Sequence, residues 1–271
     1  MPGVFNPQTI NFYRPPLDSH KSQNGKLLVI GGSKLFHASI FWAADVASRI
    51  VDIVHFTSPA NENNQVVRTR IKQNFWTGIV VDWADIEGYI QEDDAILIGP
   101  GMTRDDETAL IVDLLLKKYP AKKWVLDGGA LQEVDPELIT ESCILTPHRW
   151  EFEGLLKRSD LERSQGRTIS KKLHGCTILL KGPIDTVCRG SRCVEIQGGN
   201  PGMTKGGTGD VLAGLVAALY CKNNSWTAAT VGSYVNKKAG DELYKKVGPY
   251  FNAADLVEEI PKILRIFNEH L

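Results

Sequence analysis

The sequence predicts an α/β protein in which a mostly parallel sheet carries helices on both faces. Three features support this fold class: short apolar runs rich in Val and Ile, intervening segments with helical periodicity, and glycine-rich or polar turns after the runs. Parallel strands are buried on both faces and are therefore apolar throughout, and helices form the crossovers between them.

Seven apolar runs are the predicted strands, and helical segments separate several of them. The strands are Lys26–Ile30, Val51–Thr57, Thr77–Val81, Ala95–Ile98, Trp124–Leu126, Cys143–Leu145 and Thr177–Leu180. The helices are Ala38–Ile50, Asp105–Lys118 and Glu151–Lys157. Because strands and helices alternate, we expect crossover connections that keep the strands parallel.

The last third of the chain departs from this alternation. Two short strands within Thr186–Val194 flank Arg189-Gly190-Ser191, which predicts an antiparallel hairpin. Three helices follow, at Gly209–Tyr220, Trp226–Lys246 and Ala253–His270. No internal repeat and no Pro/Gly/Ser-rich linker interrupts the sequence, so we expect a single domain over residues 1–271.

Composition and charge exclude some classes of function. The chain has 271 residues, of which 42% are hydrophobic and 23% charged, with a formal net charge of −1. Binding to nucleic acid by phosphate neutralisation normally requires a basic excess, so no nucleic-acid partner is expected. No apolar run approaches the length of a bilayer span, and residues 1–16 lack the charged start and apolar centre of a signal peptide. We therefore expect a cytoplasmic protein without membrane contact.

The cysteines suggest neither a metal site nor a redox motif. Cys143, Cys176, Cys188, Cys193 and Cys221 form no Cys-x-x-Cys pair and no Cys/His spacing of a zinc site. We expect five reduced thiols that act as small apolar residues, and no metal-binding cluster.

The turns after the predicted strands indicate a ligand-binding cleft. In open α/β sheets, ligands bind outside the carboxyl ends of the strands. A single glycine turn is common in any such fold, whereas five polar or glycine-rich turns at one edge predict a long cleft. The five are Gly31-Gly32-Ser33, Gly99-Pro100-Gly101, Asp127-Gly128-Gly129, Thr146-Pro147-His148 and Lys181-Gly182.

The strongest local signal is Gly206-Gly207-Thr208-Gly209-Asp210, which directly precedes an apolar helix. Free N–H groups and the positive end of the helix dipole make such a loop an anion site, to which the Thr208 hydroxyl and Lys205 can contribute. Neither the Walker spacing nor the Gly-x-Gly-x-x-Gly spacing is present. Asp210 has two interpretations, a helix N-cap and a catalytic base, and position alone does not choose between them.

Six pieces of sequence occur in order along the chain. They are Val29-Ile30-Gly31-Gly32-Ser33, Ile98-Gly99-Pro100-Gly101-Met102, Leu126-Asp127, Leu145-Thr146-Pro147-His148 with Glu151-Phe152, Leu180-Lys181-Gly182, and the long segment 200–214. In this order they resemble the ADP- or ATP-dependent NAD(P)H-hydrate dehydratases of the ribokinase-like superfamily. The resemblance runs from about Gly25 to Asp241 and implies a three-layer ribokinase-like fold.

The resemblance also implies roles for particular residues. Asp210 would be the catalytic base, and the hydrated nicotinamide would contact Ala38, Gly101, His148 and Asp210. The remaining site residues would contact the adenine nucleotide, namely Lys181, Gly182, Pro183, Ile184, Asp185, Gly206, Gly207, Thr208 and Gly209.

The reaction that the resemblance implies is a repair of damaged cofactor. ADP or ATP would phosphorylate the ring hydroxyl of hydrated NADH or NADPH, and phosphate would then be eliminated, with Mg²⁺ on the nucleotide oxygens. The resemblance further implies a homo-oligomer. Because only about two dozen residues precede the first predicted strand, any epimerase of the same pathway is expected on a separate chain.

Two turns depart from the usual pattern of the family, both on the substrate side. Asp127-Gly128-Gly129-Ala130-Leu131 lacks the second acidic residue of Asp-Ala-Asp-Ala-Leu, and Phe36-His37-Ala38-Ser39 stands where a Tyr-x-Gly-Ala-type turn is usual. Two alternatives therefore stay open. One is an ATP-dependent kinase of a small alcohol, such as a sugar, a hydroxymethylpyrimidine or a thiazole alcohol. The other is a nucleotide-binding regulatory protein without turnover.

Overall fold

The computed structural model describes residues 3–74, 78–159, 161, 170 and 173–267. Its strands are β1 (Gly3–Val4), β2 (Lys26–Ile30), β3 (Ile53–Thr57), β4 (Ile79–Val80), β5 (Ala95–Ile98), β6 (Lys123–Leu126), β7 (Cys143–Leu145), β8 (Thr177–Leu180), β9 (Asp185–Arg189) and β10 (Arg192–Ile196). Its α-helices are α1 (His37–Ala47), α2 (Asn61–Asn74), α3 (Ile86–Glu92), α4 (Asp106–Lys118), α5 (Gly128–Glu133), α6 (Arg149–Arg158), α7 (Thr208–Lys222), α8 (Ser225–Val247) and α9 (Ala253–Leu264).

These strands form one sheet in the order β1-β10-β9-β8-β7-β6-β5-β2-β3-β4. Neighbouring strands are parallel except at β9, which is antiparallel to both β8 and β10. The mostly parallel sheet and the late hairpin are therefore as predicted. In register, Ile30 of β2 pairs with Ile98 of β5, and Ile98 pairs with Leu126 of β6. The carboxyl ends of these strands consequently lie at one level along one edge.

The side chains of each central strand alternate between two hydrophobic clusters, one on each face of the sheet. In β2, Leu27 and Val29 belong to the cluster that contains α1, α7, α8 and α9, whereas Leu28 and Ile30 belong to the cluster that contains α3, α4, α5 and α6. All four side chains are fully buried, and each contributes roughly 1.5–3 kcal/mol by leaving water. The result is a helix–sheet–helix sandwich of three layers. None of the described helices has the length and apolar composition needed to cross a membrane.

Some predicted boundaries differ from the observed ones. The Ala47 carbonyl accepts hydrogen bonds from the N–H groups of Ile50 and Val51, at 2.9 and 3.1 Å, which closes a turn between α1 and β3. The predicted helix and strand are therefore each too long at this junction. The mainly polar α2 was not predicted because Asn61–Asn74 shows no clear apolar face. Thr77 and residues 268–270, which belong to predicted elements, lie outside the described residues.

Two of the five cysteines form a disulfide, so the prediction of five reduced thiols is wrong for this pair. Cys188 and Cys193 lie directly opposite each other in β9 and β10, with their Cα atoms 4.2 Å apart. The pairing depends on the register of the hairpin, which the spacing of cysteines in the sequence does not reveal. Cys143, Cys176 and Cys221 are free and buried, as predicted.

Candidate active site

The turns at the carboxyl edge of the sheet are joined by backbone hydrogen bonds. The Gly32 N–H donates to the Pro100 carbonyl at 2.7 Å, which links the turns after β2 and β5. The Lys181 N–H donates to the Pro147 carbonyl at 2.8 Å, which links the ends of β8 and β7. Neighbouring turns that were predicted to share one edge thus lie side by side along it.

A cavity of about 280 Å³ opens at this edge between the turn after β2 and the start of α7. Ala38 and Asp210, both predicted to contact substrate, line this cavity. Gly101 lies directly behind its wall, beside Phe36 and Ser39. The cavity is lined by Leu35, Phe36, His37, Ala38, Ser39, Trp42, Gly206, Gly207 and Asp210. Three of the four predicted substrate residues are therefore gathered at one place, and His148 lies outside this lining.

Gly207, and not Asp210, is the N-cap of α7. Its φ of 93° lies in the left-handed region that favours glycine. A side chain at this position would also come within 2.9 Å of the Trp42 indole. Asp210 is consequently the third residue of the helix, so the N-cap interpretation of Asp210 is excluded.

The start of α7 is held in place because the rest of the helix is embedded in the protein. Twelve of its residues are buried, including Val211 and Leu215, and its Gly214 packs directly against Ala43 of α1. The N–H groups of the first turn have no intrahelical partner and carry the positive end of the helix dipole. This arrangement suits a phosphate group at the Gly206–Gly209 end of the cavity.

The side chains of Thr208 and Lys205 stabilise the loop itself. The Thr208 hydroxyl lies within hydrogen-bond distance of the carbonyl oxygens of Met203 and Lys205, at 2.6 and 2.8 Å. The Lys205 ammonium donates to the Pro249 carbonyl and lies 5.3 Å from the centre of the Phe251 ring. These two side chains therefore shape the loop, and their contribution to the anion site stays a prediction. The Thr208 N–H donates to the Lys205 carbonyl at 3.3 Å, which leaves the N–H groups of Gly206, Gly207 and Gly209 as donors.

The Asp210 carboxyl group titrates near neutral pH. Its pKa is raised to about 7, chiefly by burial and then by the negative charge of Asp127. The Ser39 hydroxyl and the Lys181 ammonium lower the pKa in part, and Glu151 raises it by a smaller amount. A carboxyl group with this pKa can both accept and return a proton at physiological pH.

Lys181 supplies a positive charge beside the phosphate loop. Its Nζ lies 2.9 Å from Asp127 Oδ1, which also accepts a hydrogen bond from the Thr146 hydroxyl at 2.7 Å. The same ammonium lies 3.8 Å from where a Cβ on Gly209 would be. Burial lowers the pKa of Lys181, but the nearby carboxylates of Asp127, Glu151 and Asp210 outweigh burial and raise it. The lysine is therefore protonated.

His148 is the N-cap of α6 and lies at the carboxyl edge of the sheet. Its Nδ1 accepts the Glu151 N–H at 3.2 Å, and the Glu151 carboxylate accepts the His148 N–H at 2.8 Å, which makes a capping box. About half of the His148 side chain, 48%, remains exposed. A backbone bridge places His148 beside Lys181. The histidine is thus fixed by its own helix while its ring stays accessible.

The predicted nucleotide residues after β8 form a short loop. Ile184 exposes half of its surface, whereas the Asp185 carboxylate is buried and accepts hydrogen bonds from the Gly182 N–H at 2.9 Å and the Ser233 hydroxyl at 2.7 Å. The carboxylate of Asp185 therefore holds the loop in shape from the inside.

Neither Trp42 nor Lys237 was identified from the sequence as a residue of this region. Trp42 lines the cavity one helical turn after Ala38, and that i,i+4 spacing on a predicted helix is a signal that could have identified it. Lys237 of α8 donates to carbonyl oxygens on both sides of the nucleotide end of the cleft. No sequence signal identifies Lys237, because its partners are distant backbone atoms. Within the described part of the chain, no group of three His, Cys, Asp or Glu side chains is arranged to hold a metal ion.

Comparison with known proteins gives a match over most of the chain. The model of the NAD(P)H-hydrate dehydratase family matches residues 27–262. A bifunctional NAD(P)H-hydrate repair enzyme of Methanocaldococcus jannaschii is 34% identical over 258 residues, which are 92% of this chain and 50% of that protein. An ADP-dependent (S)-NAD(P)H-hydrate dehydratase of Cenarchaeum symbiosum is 32% identical over 268 residues, which are 93% of this chain and 92% of that protein. The chain thus spans half the length of the first relative and nearly the whole length of the second.

The fold is also that of a solved structure. A ribokinase-like superfamily protein from Enterococcus faecalis superposes with a TM-score of 0.81, over 94% of this chain and 92% of the other, at 23% identity. At this identity the likeness establishes the fold alone. The three-layer ribokinase-like architecture expected from the sequence is confirmed.

Proposed function

Because this chain belongs to the NAD(P)H-hydrate dehydratase family, we propose that it restores NADH or NADPH from the hydrated cofactor at the expense of an adenine nucleotide. The names of the relatives support this activity, and one of them is called ADP-dependent. The observation that carries the proposal is the place of Asp210. Its carboxyl group, with a pKa of about 7, shares a cavity wall with the start of α7, where a phosphate group fits.

In the proposed reaction, the hydroxyl oxygen on the hydrated ring attacks the terminal phosphorus of the nucleotide. Asp210 accepts the hydroxyl proton while the new O–P bond forms and the bond to the departing nucleotide oxygen breaks. Phosphate is a better leaving group than hydroxide. The ring C–O bond then breaks with release of inorganic phosphate, the neighbouring ring carbon loses a proton to water, and the electrons of that C–H bond restore the double bond of the nicotinamide.

The phosphoryl group in transfer is stabilised by groups that are already in place. The backbone N–H groups of Gly206, Gly207 and Gly209 are held by the buried α7, and the Lys181 ammonium is held by Asp127. Donors that are fixed in advance require no reorganisation during the reaction. Most of the catalysis of phosphoryl transfer arises from such electrostatic stabilisation and positioning. We assign Gly182–Asp185, the loop that follows Lys181 after β8, to contact with the nucleotide.

The nicotinamide side of the site is assigned to the turn after β2 and its neighbours. Ala38 and the aromatic side chains of Phe36 and Trp42 form an apolar wall of the cavity, against which a flat ring can stack. Gly101 lies behind this wall, and the exposed ring of His148 contacts the substrate from the far edge of the cleft in our assignment.

Mg²⁺ fits this site as an ion carried by the nucleotide. The Asp127 carboxylate is paired with Lys181, and the described residues contain no cage of three ligands, so phosphate oxygens and water would hold the ion. When bound, it neutralises charge on the phosphates. A homo-oligomeric assembly and an epimerase that acts in the same pathway are further proposals, which follow from the family resemblance, and a cytoplasmic location is another.

The direct test supplies purified protein with hydrated NADH, Mg²⁺ and either ADP or ATP. We expect recovery of the near-ultraviolet absorbance of NADH with at least one nucleotide. No recovery with either nucleotide would contradict the dehydratase assignment. Stable phosphorylated products from small alcohols under the same conditions would favour the kinase alternative.

A further inference from the structure

One face of α8 lies under both loops at the nucleotide end of the cleft. Ser233, Lys237 and Asp241 follow one another at intervals of four residues, so they share this face of the helix. Ser233 donates to the Asp185 carboxylate at 2.7 Å, and Asp241 accepts the Gly199 N–H at 3.1 Å. Lys237 lies between these two contacts. The loop after β8 and the loop after β10 are therefore both attached to one helix.

Lys237 contacts the two loops at once. Its Nζ donates to the carbonyl oxygens of Gly182 and Pro183 in the first loop, at 3.0 and 3.2 Å, and to the carbonyl oxygen of Gly198 in the second, at 3.0 Å. The Asp185 carboxylate lies 3.3 Å from the same nitrogen. An ammonium group has three N–H donors, and three carbonyl oxygens match this number.

Lys237 is one of the few charged side chains in the interior, with 7% of the side chain exposed. A buried ammonium is costly unless it is paired and fully hydrogen-bonded, and here one carboxylate and three carbonyl oxygens surround it. Loss of the charge would leave the buried Asp185 carboxylate and the three carbonyl oxygens without their shared donor. The two loops would then lose their common attachment.

The second loop is shaped to receive this side chain. Gly199 has a φ of 86°, and a Cβ at this position would lie 3.2 Å from Lys237 Nζ. The backbone therefore passes closely over the lysine before it reaches the 3₁₀ turn Pro201–Thr204 and the phosphate loop. Asn200, the N-cap of that turn, is held by Asp241 at 3.1 Å.

We propose that Lys237 is a positioning residue that sets the nucleotide loop Gly182–Asp185 and the loop after β10, Gly198–Gly207, which leads into the phosphate loop, at a fixed separation. The identity of the ligand, an adenine nucleotide, rests on the proposed function. The contacts of Lys237 with the two loops do not depend on it. A nucleotide must contact both loops together. Their preset separation removes an ordering cost that would otherwise weaken binding.

The test compares the full-length protein with Lys237→Met, whose unbranched side chain is one heavy atom shorter and lacks the charge and donors. We expect the Kd and KM for ADP and ATP to rise by about tenfold or more, because each loop must then be ordered by the ligand itself. The KM for hydrated NADH should change by less than about threefold, because the nicotinamide side does not depend on this lysine. Lys238→Met is the matched control, since Lys238 is exposed and its ammonium lies 3.8 Å from the Glu242 carboxylate.

A second variant keeps the proposal testable if Lys237→Met folds poorly. Lys237→Gln retains two N–H donors without the charge, so its affinity for nucleotide should lie between those of the original protein and Lys237→Met. Unchanged nucleotide Kd in folded Lys237→Met, or equal rises in KM for nucleotide and for hydrated NADH, would overturn the inference. Absence of nucleotide binding by the unmodified protein would instead overturn the proposed function, so the two failures are distinguishable.

Discussion

At the level of single residues, the pKa of Asp210 is subject to two opposed influences. A carboxylate in the first turn of a helix is stabilised by the dipole, which favours the charged form. Burial and the neighbouring Asp127 act against this and raise the pKa of Asp210 to about 7. Near neutral pH, the protonated and charged forms of Asp210 are therefore both populated, and a change in a neighbouring charge shifts the ratio between them.

Asp210→Asn should remove the base without changing the shape of the cavity. We expect turnover to fall by about 10²–10⁴-fold while nucleotide affinity stays nearly unchanged, as kinetics and calorimetry would measure. Asp255→Asn is the matched control, because Asp255 takes the corresponding third position of α9 and is exposed. Full activity of Asp210→Asn would remove this residue from the mechanism.

The dependence of activity on pH follows from the pKa of Asp210. A base must be deprotonated, so the rate at low substrate concentration should rise with pH through about 7 and then level off. Lys181 lowers the pKa of Asp210 and Asp127 raises it. Lys181→Met should therefore move the inflection to higher pH, and Asp127→Asn should move it to lower pH. Movement of both variants in the same direction would contradict this assignment of charges.

At the level of elements, the hairpin β9–β10 connects the two loops of the nucleotide end. The β9 strand starts at the end of the first loop, and β10 leads into the second. The disulfide between Cys188 and Cys193 lies next to the hairpin turn, at the end of the hairpin away from the two loops. The hairpin is thus held by the disulfide at its turn and by Lys237 at its base.

Reduction of the disulfide tests this division of roles. For so short a closed loop, the chain-entropy argument gives a loss of about 2 kcal/mol in the free energy of unfolding. We expect Cys193→Ser, or the protein kept in reductant, to unfold at lower denaturant concentration, with the nucleotide KM unchanged. A raised nucleotide KM would show that the disulfide, and not Lys237 alone, sets the separation of the loops.

Elements with a clear pattern were predictable and others were not. Lys26–Ile30 and Ala95–Ile98 are continuous apolar runs, and both strands have the predicted bounds. The polar α2 and the short α5 have no such pattern, because their positions are decided by tertiary contacts. The disulfide depends on strand register and the role of Lys237 on distant carbonyl oxygens, and neither is a property of local sequence.

At the level of the whole molecule, the fold determines where the chemistry takes place. Parallel strands end at one edge, and the embedded α7 brings the phosphate loop to the same edge. The location of Gly101 and His148 at this edge was therefore predictable from their turns, and their contact with substrate stays a prediction. Ser39 and Trp42 line the cavity from α1: Ser39 belongs to the Phe36–Ser39 turn on the substrate side, and the i,i+4 spacing of Trp42 from Ala38 is its signal in the sequence.

In the proposed mechanism, phosphoryl transfer from the nucleotide and repair of the cofactor are parts of one reaction at this site. The measurement that tests it follows NADH absorbance and released inorganic phosphate together, in one reaction with hydrated NADH, Mg²⁺ and the preferred nucleotide. We expect equal amounts of NADH and phosphate, formed at the same rate and both lost in Asp210→Asn. Phosphate release without NADH, or a phosphorylated product that persists, would contradict it.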